Sequence, residues 1–139
     1  MPNELILKKL EQIEKILGEL ESLLSEPVDH FEKNIVGIRA AERNFQLIVD
    51  LASDINTQIL LEKGEKTPDT YRQSFTALGS AGLLNSELAR ELSISASLRN
   101  ILVHEYDFDE DFRKFYNSAK SFIEPYKIYL KKVYDYATK

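Results

Sequence analysis

The chain has 139 residues, 43% of them apolar and 29% charged, which fits one folded domain over residues 1–139 and excludes a disordered chain. It contains no cysteine, so disulfides and thiolate metal sites are excluded and a reducing cytoplasm is the expected location. The formal net charge of −5 argues against a protein that coats nucleic acid through clustered lysine and arginine. It still allows an enzyme that grips a few phosphates at one focused site.

The N-terminal residues, from Met1 to Glu11, alternate apolar with charged side chains, which is unlike a signal peptide. No apolar run approaches the roughly 20 residues that are needed to cross a bilayer. We therefore expect a soluble protein without a membrane anchor.

The apolar pattern predicts a first helix that ends at Pro27. Its apolar residues recur at alternating steps of four and three: Ile6, Leu10, Ile13, Leu17, Leu20 and Leu24. Asp29 and Glu32 then have the spacing of a capping box, which would open the second helix. The second helix is the longest, because its apolar stripe continues from Ile38 to Ile59, and we expect it to contact more than one neighbour.

Three further helices are predicted after Gly64. Thr70 and Gln73 have capping spacing at the start of a short third helix, and the run 85–87 caps a fourth. The last helix should begin near 107–111, with a kink or a break near Pro125. No segment alternates as a strand does, so the predicted fold is all-α, an antiparallel bundle of four to five helices.

The segment from Ser97 to Tyr106 contains several side chains that could take part in catalysis. A cation (Arg99), an amide (Asn100), an imidazole (His104) and a phenol (Tyr106) fall within eight positions. Asn100 and His104 are four apart, so a helix places them on one face. Arg99 and His104 are five apart and diverge by about 140° on a regular helix. They would share a target only if Arg99 reaches around the helix or the helix loosens near His104.

This set of side chains suits phosphodiester chemistry. A histidine such as His104 titrates near neutral pH and can move the proton of a ribose hydroxyl or of a leaving oxygen. The guanidinium of Arg99 can hold the phosphate and offset the charge that gathers in the transition state. Asn100 would then fix the imidazole tautomer. Taken alone, however, a helical histidine is more often structural, and an arginine near a helix end usually caps carbonyls or forms a surface ion pair.

The acidic run 105–111 invites a comparison with a hard-metal site. Acidic residues in the first turn of a helix also complement its dipole, and this run lies where the last helix should begin. With two histidines and no cysteine, the chain offers few zinc ligands. We expect no metal or other cofactor, and we interpret His30, near the start of the second helix, as structural.

The string Arg99-Asn100-Ile101-Leu102-Val103-His104-Glu105-Tyr106 resembles the signature of HepT proteins within the HEPN superfamily. That signature is Arg, a polar residue, three positions, His, any residue and Tyr. A second stretch on the second helix, from Arg39 to Gln46, and the linker from Pro68 to Leu84 resemble the family as well. The resemblance covers nearly the whole chain in length and helix order, so it implies a HEPN-like bundle.

The resemblance also implies a function and a partner. HEPN ribonucleases cleave RNA without a metal, as homodimers in which the motifs of two subunits face one cleft. Arg99 and His104 would then be catalytic, and Asn100 would support them. HepT toxins of type II toxin–antitoxin systems pair with a small nucleotidyltransferase antitoxin, which attaches AMP to the motif tyrosine, here Tyr106. The added phosphate charge and adenosine would repel and block RNA.

Arg39 and Glu42 are candidates for support of the cleft, because they lie in the second stretch that resembles the family. Their three-residue spacing also suits a charged solvent face, or an ion pair that holds two helices. Two other functions stay open for the whole chain. In the first, the chain is a non-catalytic acceptor subunit of a nucleotidyltransferase complex, with Tyr106 modified for signalling. In the second, it is a purely structural bundle.

Overall fold

The computed structural model describes residues 3–104 and 111–139, with only the backbone at His104. Within these residues the chain forms helices and no strand, which confirms the all-α prediction. Six helices have ten or more residues, and α2 is a single turn. Their bounds are α1 (Glu4–Leu23), α2 (Val28–Phe31), α3 (Ile35–Glu62), α4 (Tyr71–Ser80), α5 (Ser86–His104), α6 (Phe112–Ser121) and α7 (Ile123–Ala137). The count exceeds four to five because the last predicted helix is divided in two.

Side-chain caps set most of the helix starts. Thr70 accepts a hydrogen bond from the backbone N–H of Gln73, and Asn85 accepts one from Leu88, so both predicted caps are confirmed. The capping box predicted at Asp29 is wrong. Asn34 opens the long helix instead, because its side-chain oxygen reaches the N–H of Gly37 at 3.1 Å.

The division between α6 and α7 confirms the break expected near Pro125. Helix α6 ends at Ser121 and α7 begins at Ile123, so the proline lies in the first turn of α7. A proline is tolerated there because the N–H that it lacks would have no helical partner, whereas deeper in a helix its ring would clash with the preceding turn. The chain therefore breaks three residues before the proline.

Helix α3 is the centre of the bundle and packs against α1, α2, α4 and α5. Helix α1 runs antiparallel to α3 and α7, since Lys9 pairs with Asp54 at 3.6 Å and the N–H of Asn3 donates to the carbonyl of Ala137 at 2.8 Å. Among the residues that the structure describes, no helix has the length and apolarity to cross a membrane.

Helices α4 and α5 form a tight hairpin that fixes one wall of the site. Gly79 permits their close approach, because a Cβ at this position would lie 2.7 Å from the Cβ of Ala89. Gly82, with a φ of 87°, makes the turn between the two helices. The start of α4 is thereby held next to the C-terminal half of α5, which carries the motif that begins at Arg99.

Candidate active site

Arg99 is held by contacts from two other helices. Its Nε donates to Oδ1 of Asp50 on α3 at 2.9 Å. Its guanidinium carbon lies 4.6 Å from the ring centroid of Tyr71, the first residue of α4. The side chain of Arg99 is 18% exposed and that of Asp50 is 31% exposed, so the ion pair lies at the edge of the protein. We call Arg99, Asp50 and Tyr71 the arginine corner.

The electrostatics of the arginine corner keep its phenol neutral. Partial burial raises the pKa of Tyr71 above its usual value, and the negative charge of Asp50 raises it further. The nearby Arg99 cation opposes this shift. The tyrosine therefore acts as a neutral ring over the guanidinium, which is the arrangement of a cation–π contact.

Arg99 retains hydrogen-bond donors beyond those that hold it. Nη1 donates to Oδ1 of Asn100 at 3.2 Å. For Nη2, the described residues provide no hydrogen-bond partner, although a guanidinium presents five N–H donors. An anion such as a phosphate would find in this partly exposed group both the charge and the fork geometry that suit it.

The predicted partners of Arg99 within the motif are described only in part. Helix α5 continues to His104, so the helix between Arg99 and His104 is regular in its backbone. The side chain of His104 and the whole of Tyr106 lie outside the described residues. Asn100 is exposed and contacts Arg99. Its predicted contact with His104, and the convergence of Arg99 with His104, stay predictions.

Arg39 and Glu42 form an ion pair of 2.8 Å within α3, and Glu42 is buried. Arg39 also lies over the ring of Phe112 at 5.7 Å. Arg99 of α5 thus contacts α3 at Asp50, and Phe112 of α6 contacts α3 at Arg39. Arg39 and Asp50 are eleven positions apart, so they share one face of α3 about 16 Å apart along its axis. The role of Arg39 and Glu42 in the site stays a prediction.

Two residues of the arginine corner were not singled out from the sequence. Asp50 interrupts the apolar run 47–52, and a charge inside an apolar stretch of helix is a signal that it has a partner. Tyr71 lies three residues after Pro68, in the stretch that resembles the family linker. Neither signal identifies Arg99 as the partner, because that pairing joins three separate helices.

The other candidate groups have no shared centre. His30 is exposed on the short α2. No group of three or more His, Asp or Glu side chains is placed to hold a metal ion among those that the structure describes. The acidic run lies outside the described residues except for Asp111, which caps α6 by accepting a hydrogen bond from the N–H of Lys114.

Comparisons with known proteins agree on one family. The ribonuclease HepT-like family model matches residues 8–133. A tRNA nuclease HepT of Aphanizomenon flos-aquae is 31% identical over 92% of this chain and 86% of its own length. An mRNA nuclease HepT of Shewanella oneidensis is 25% identical over 75% of this chain and 77% of its own length.

Solved structures share the fold. The tri-AMPylated HEPN toxin of Shewanella oneidensis, in complex with an MNT antitoxin, superposes with a TM-score of 0.85 at 21% identity, covering 94% of this chain and 97% of that one. A toxin–antitoxin structure with AMP-PNP superposes with a TM-score of 0.82 at 20% identity, covering 94% and 98%. The family match spans most of the chain, including the site around Arg99. This chain therefore belongs to the ribonuclease HepT-like family.

Proposed function

We propose that this protein is a metal-independent endoribonuclease, the toxin of a type II toxin–antitoxin system acting in the cytoplasm. The observation that carries the proposal is the Arg99 guanidinium, which is fixed by Asp50 yet retains donors for an anion, on the helix that carries His104. Membership of the ribonuclease HepT-like family supports RNA as the substrate.

In the proposed reaction, Arg99 binds the scissile phosphate and offsets the negative charge that builds on its oxygens. His104 removes the proton from the ribose 2′-hydroxyl, and the 2′-oxygen attacks the adjacent phosphorus. The bond from phosphorus to the 5′-oxygen breaks, that oxygen takes up a proton from water, and His104 releases to water the proton that it accepted. The products are a 2′,3′-cyclic phosphate and a 5′-hydroxyl. Asn100 would hold the two catalytic groups in register.

We propose that the active form is a homodimer in which two copies of the motif face one cleft. Ile94 and Ile101 are exposed on α5 and lie seven positions apart, so they share one face of the helix that carries the motif. Exposed apolar side chains on one face favour an interface. Arg39 and Glu42 would line the outer part of the cleft, beside the end of α5.

We propose that a nucleotidyltransferase antitoxin inhibits the enzyme by attaching AMP to Tyr106. A toxin that shares the fold of this chain is tri-AMPylated in its complex with an MNT antitoxin, which supports this regulation. Tyr106 follows His104 by two positions, so the modification would bring phosphate charge next to the catalytic histidine and repel RNA.

The experiment is an RNA cleavage assay in EDTA with protein purified free of its partner. The wild type should cut RNA, and Arg99→Ala and His104→Ala should each lose the activity while keeping the helical circular dichroism spectrum. Arg113→Ala is the matched control, because Arg113 forms exposed ion pairs with Asp29 and Glu32 rather than with Asp50. Cleavage that survives His104→Ala would rule out the proposed mechanism.

A second candidate function is a non-catalytic acceptor subunit of the nucleotidyltransferase complex. The net charge of −5 favours it, since a negative protein repels an RNA backbone. Both functions predict that AMP is added to Tyr106, as mass spectrometry of wild type and Tyr106→Phe would detect. Only the first predicts that the unmodified protein cuts RNA and stops cell growth.

A further inference from the structure

We propose that Asp50 and Tyr71 are positioning residues that fix the plane of the Arg99 guanidinium, so that its remaining donors meet one RNA phosphate. This inference rests on the proposed function, and it assigns roles to two residues outside the motif. The carboxylate of Asp50 takes the Nε–H, and the ring of Tyr71 covers one face of the guanidinium. Asp50 thus fixes the position of the guanidinium, and Tyr71 fixes its plane.

The bond to Asp50 engages Nε, so it leaves Nη2 and the second N–H of Nη1 for substrate, while the first N–H of Nη1 donates to Asn100. An unrestrained arginine loses side-chain rotamer entropy when a phosphate fixes it, and this loss weakens binding. Asp50 removes much of that freedom in advance. The carboxylate is supplied by the middle of the longest helix, so its own position is rigid.

Tyr71 restricts the guanidinium in the remaining direction. Its ring centroid lies 4.6 Å from the guanidinium carbon, within the range of a cation–π contact. Tyr71 is the first residue of α4, behind the cap formed by Thr70, so the ring is anchored to a helix. The close approach at Gly79 and Ala89 sets the distance between this helix and α5.

The same contacts would also be expected if Arg99, Asp50 and Tyr71 only held the helices together. The small contribution of such contacts to stability disfavours that role. A partly exposed ion pair typically contributes little to stability. A second bridge between α4 and α5 already lies nearby, where Arg72 donates to Oγ of Ser97 at 3.0 Å. The arginine corner therefore adds little to the cohesion of helices that are already joined, and its main effect should be on the reaction rate.

The main test compares Asp50→Asn with Asp54→Asn. Both changes remove one negative charge from α3 and lie one turn apart, but Asp54 pairs with Lys9 rather than Arg99. We expect Asp50→Asn to lower kcat roughly tenfold to hundredfold with no rise in KM, because a misplaced catalytic group costs rate. Asp54→Asn should stay within about twofold, since it leaves the guanidinium in place. If the two carboxylates acted only by repelling RNA, both changes would lower KM and neither would lower kcat.

Tyr71 is tested by a conservative and a non-aromatic replacement. Tyr71→Phe keeps the ring over the guanidinium and should keep kcat within about twofold, whereas Tyr71→Leu removes the cation–π contact and should lower kcat roughly three- to tenfold. Ser97→Ala is the control, because it breaks a neighbouring α4–α5 contact without touching Arg99. Equal loss in Tyr71→Leu and Ser97→Ala would mean that Tyr71 acts through packing alone.

A readout independent of activity is hydrogen exchange at Nε of Arg99, followed by ¹⁵N NMR and assigned with Arg99→Lys. The hydrogen bond to Asp50 should slow exchange, and Asp50→Asn should speed it, while Asp54→Asn should not. If Arg99→Ala abolishes cleavage but Asp50→Asn cleaves normally or faster, this inference is wrong and the proposed function stands. If the protein cuts no RNA, the proposed function fails, and the exchange rate still decides whether Asp50 fixes Arg99. Should Asp50→Asn not fold, the two Tyr71 variants decide the outcome.

Discussion

Two polar clusters join α3 to α4, and they differ in what they leave unpaired. In the first, the buried cluster (Asn56, Ser74 and Tyr129), the hydroxyl of Tyr129 donates to Oδ1 of Asn56 at 2.6 Å, and Nδ2 of Asn56 donates to Oγ of Ser74 at 3.1 Å. All three residues are fully buried. In the second, the arginine corner, the ion pair is partly exposed and Nη2 has no partner among the described residues.

This difference in pairing indicates that the buried cluster stabilises the fold, whereas the arginine corner is available to bind a ligand. A buried polar group without a hydrogen bond is costly, so a cluster inside the core persists only when its groups are paired. No buried side-chain nitrogen or oxygen lacks a hydrogen bond in the described part of the chain. The arginine corner keeps a surplus donor only because water can reach it. A paired cluster fixes the register of helices, whereas a surplus donor at the surface is available to a ligand.

Arg99→Lys should distinguish the two clusters most clearly. Lysine keeps the positive charge beside Asp50 but loses the planar fork, so we expect RNA cleavage to fall by about a hundredfold. Thermal unfolding should shift by less than about 3 °C, as for an exposed ion pair. Cleavage kinetics and a melting curve check both. Arg113→Lys is the control. If the melting temperature of Arg99→Lys fell as far as that of Asn56→Ala, the distinction between the two clusters would be wrong.

The second effect concerns the buried cluster. Asn56→Ala removes the acceptor of the Tyr129 hydroxyl and a donor to Ser74, so we expect the free energy of unfolding to fall by about 2–3 kcal/mol. Urea unfolding measures this change. Cleavage per folded molecule, determined well below the transition, should stay within about twofold, because the arginine corner is untouched. A loss of kcat without loss of stability would mean that the buried cluster supports the reaction.

The smallest effect is a difference in alkaline sensitivity. Burial raises the pKa of Tyr129 well above its usual value of about 10, whereas the pKa of the partly buried Tyr71 is raised less. The unfolded chain ionises these tyrosines first, so stability is intact below about pH 10 and falls as the pH rises further. Tyr129→Phe should flatten that fall more than Tyr71→Phe does. Urea unfolding at several pH values between 9 and 11 tests the order, and equal slopes would contradict it.

Features that depend on neighbours in the chain could be predicted before the fold was known. Apolar spacing predicted α1 from Ile6 to Leu24, because a helix repeats every 3.6 residues. The caps at Thr70 and Asn85 followed from side chains that reach a backbone N–H three positions on. The motif from Arg99 to Tyr106 also lies within one segment, so the resemblance to HepT proteins required no structure.

Which residues hold that motif depends instead on how the helices pack. Asp50 and Tyr71 reach Arg99 across 49 and 28 positions of the chain, and the spacing of residues within one helix carries no information about which residue of another it meets. The choice of Asn34 over Asp29 as the cap of α3 follows the path of the chain after α1, which the capping pattern did not distinguish. Contacts within one turn are fixed by local geometry, whereas contacts between helices depend on how all the helices pack around α3.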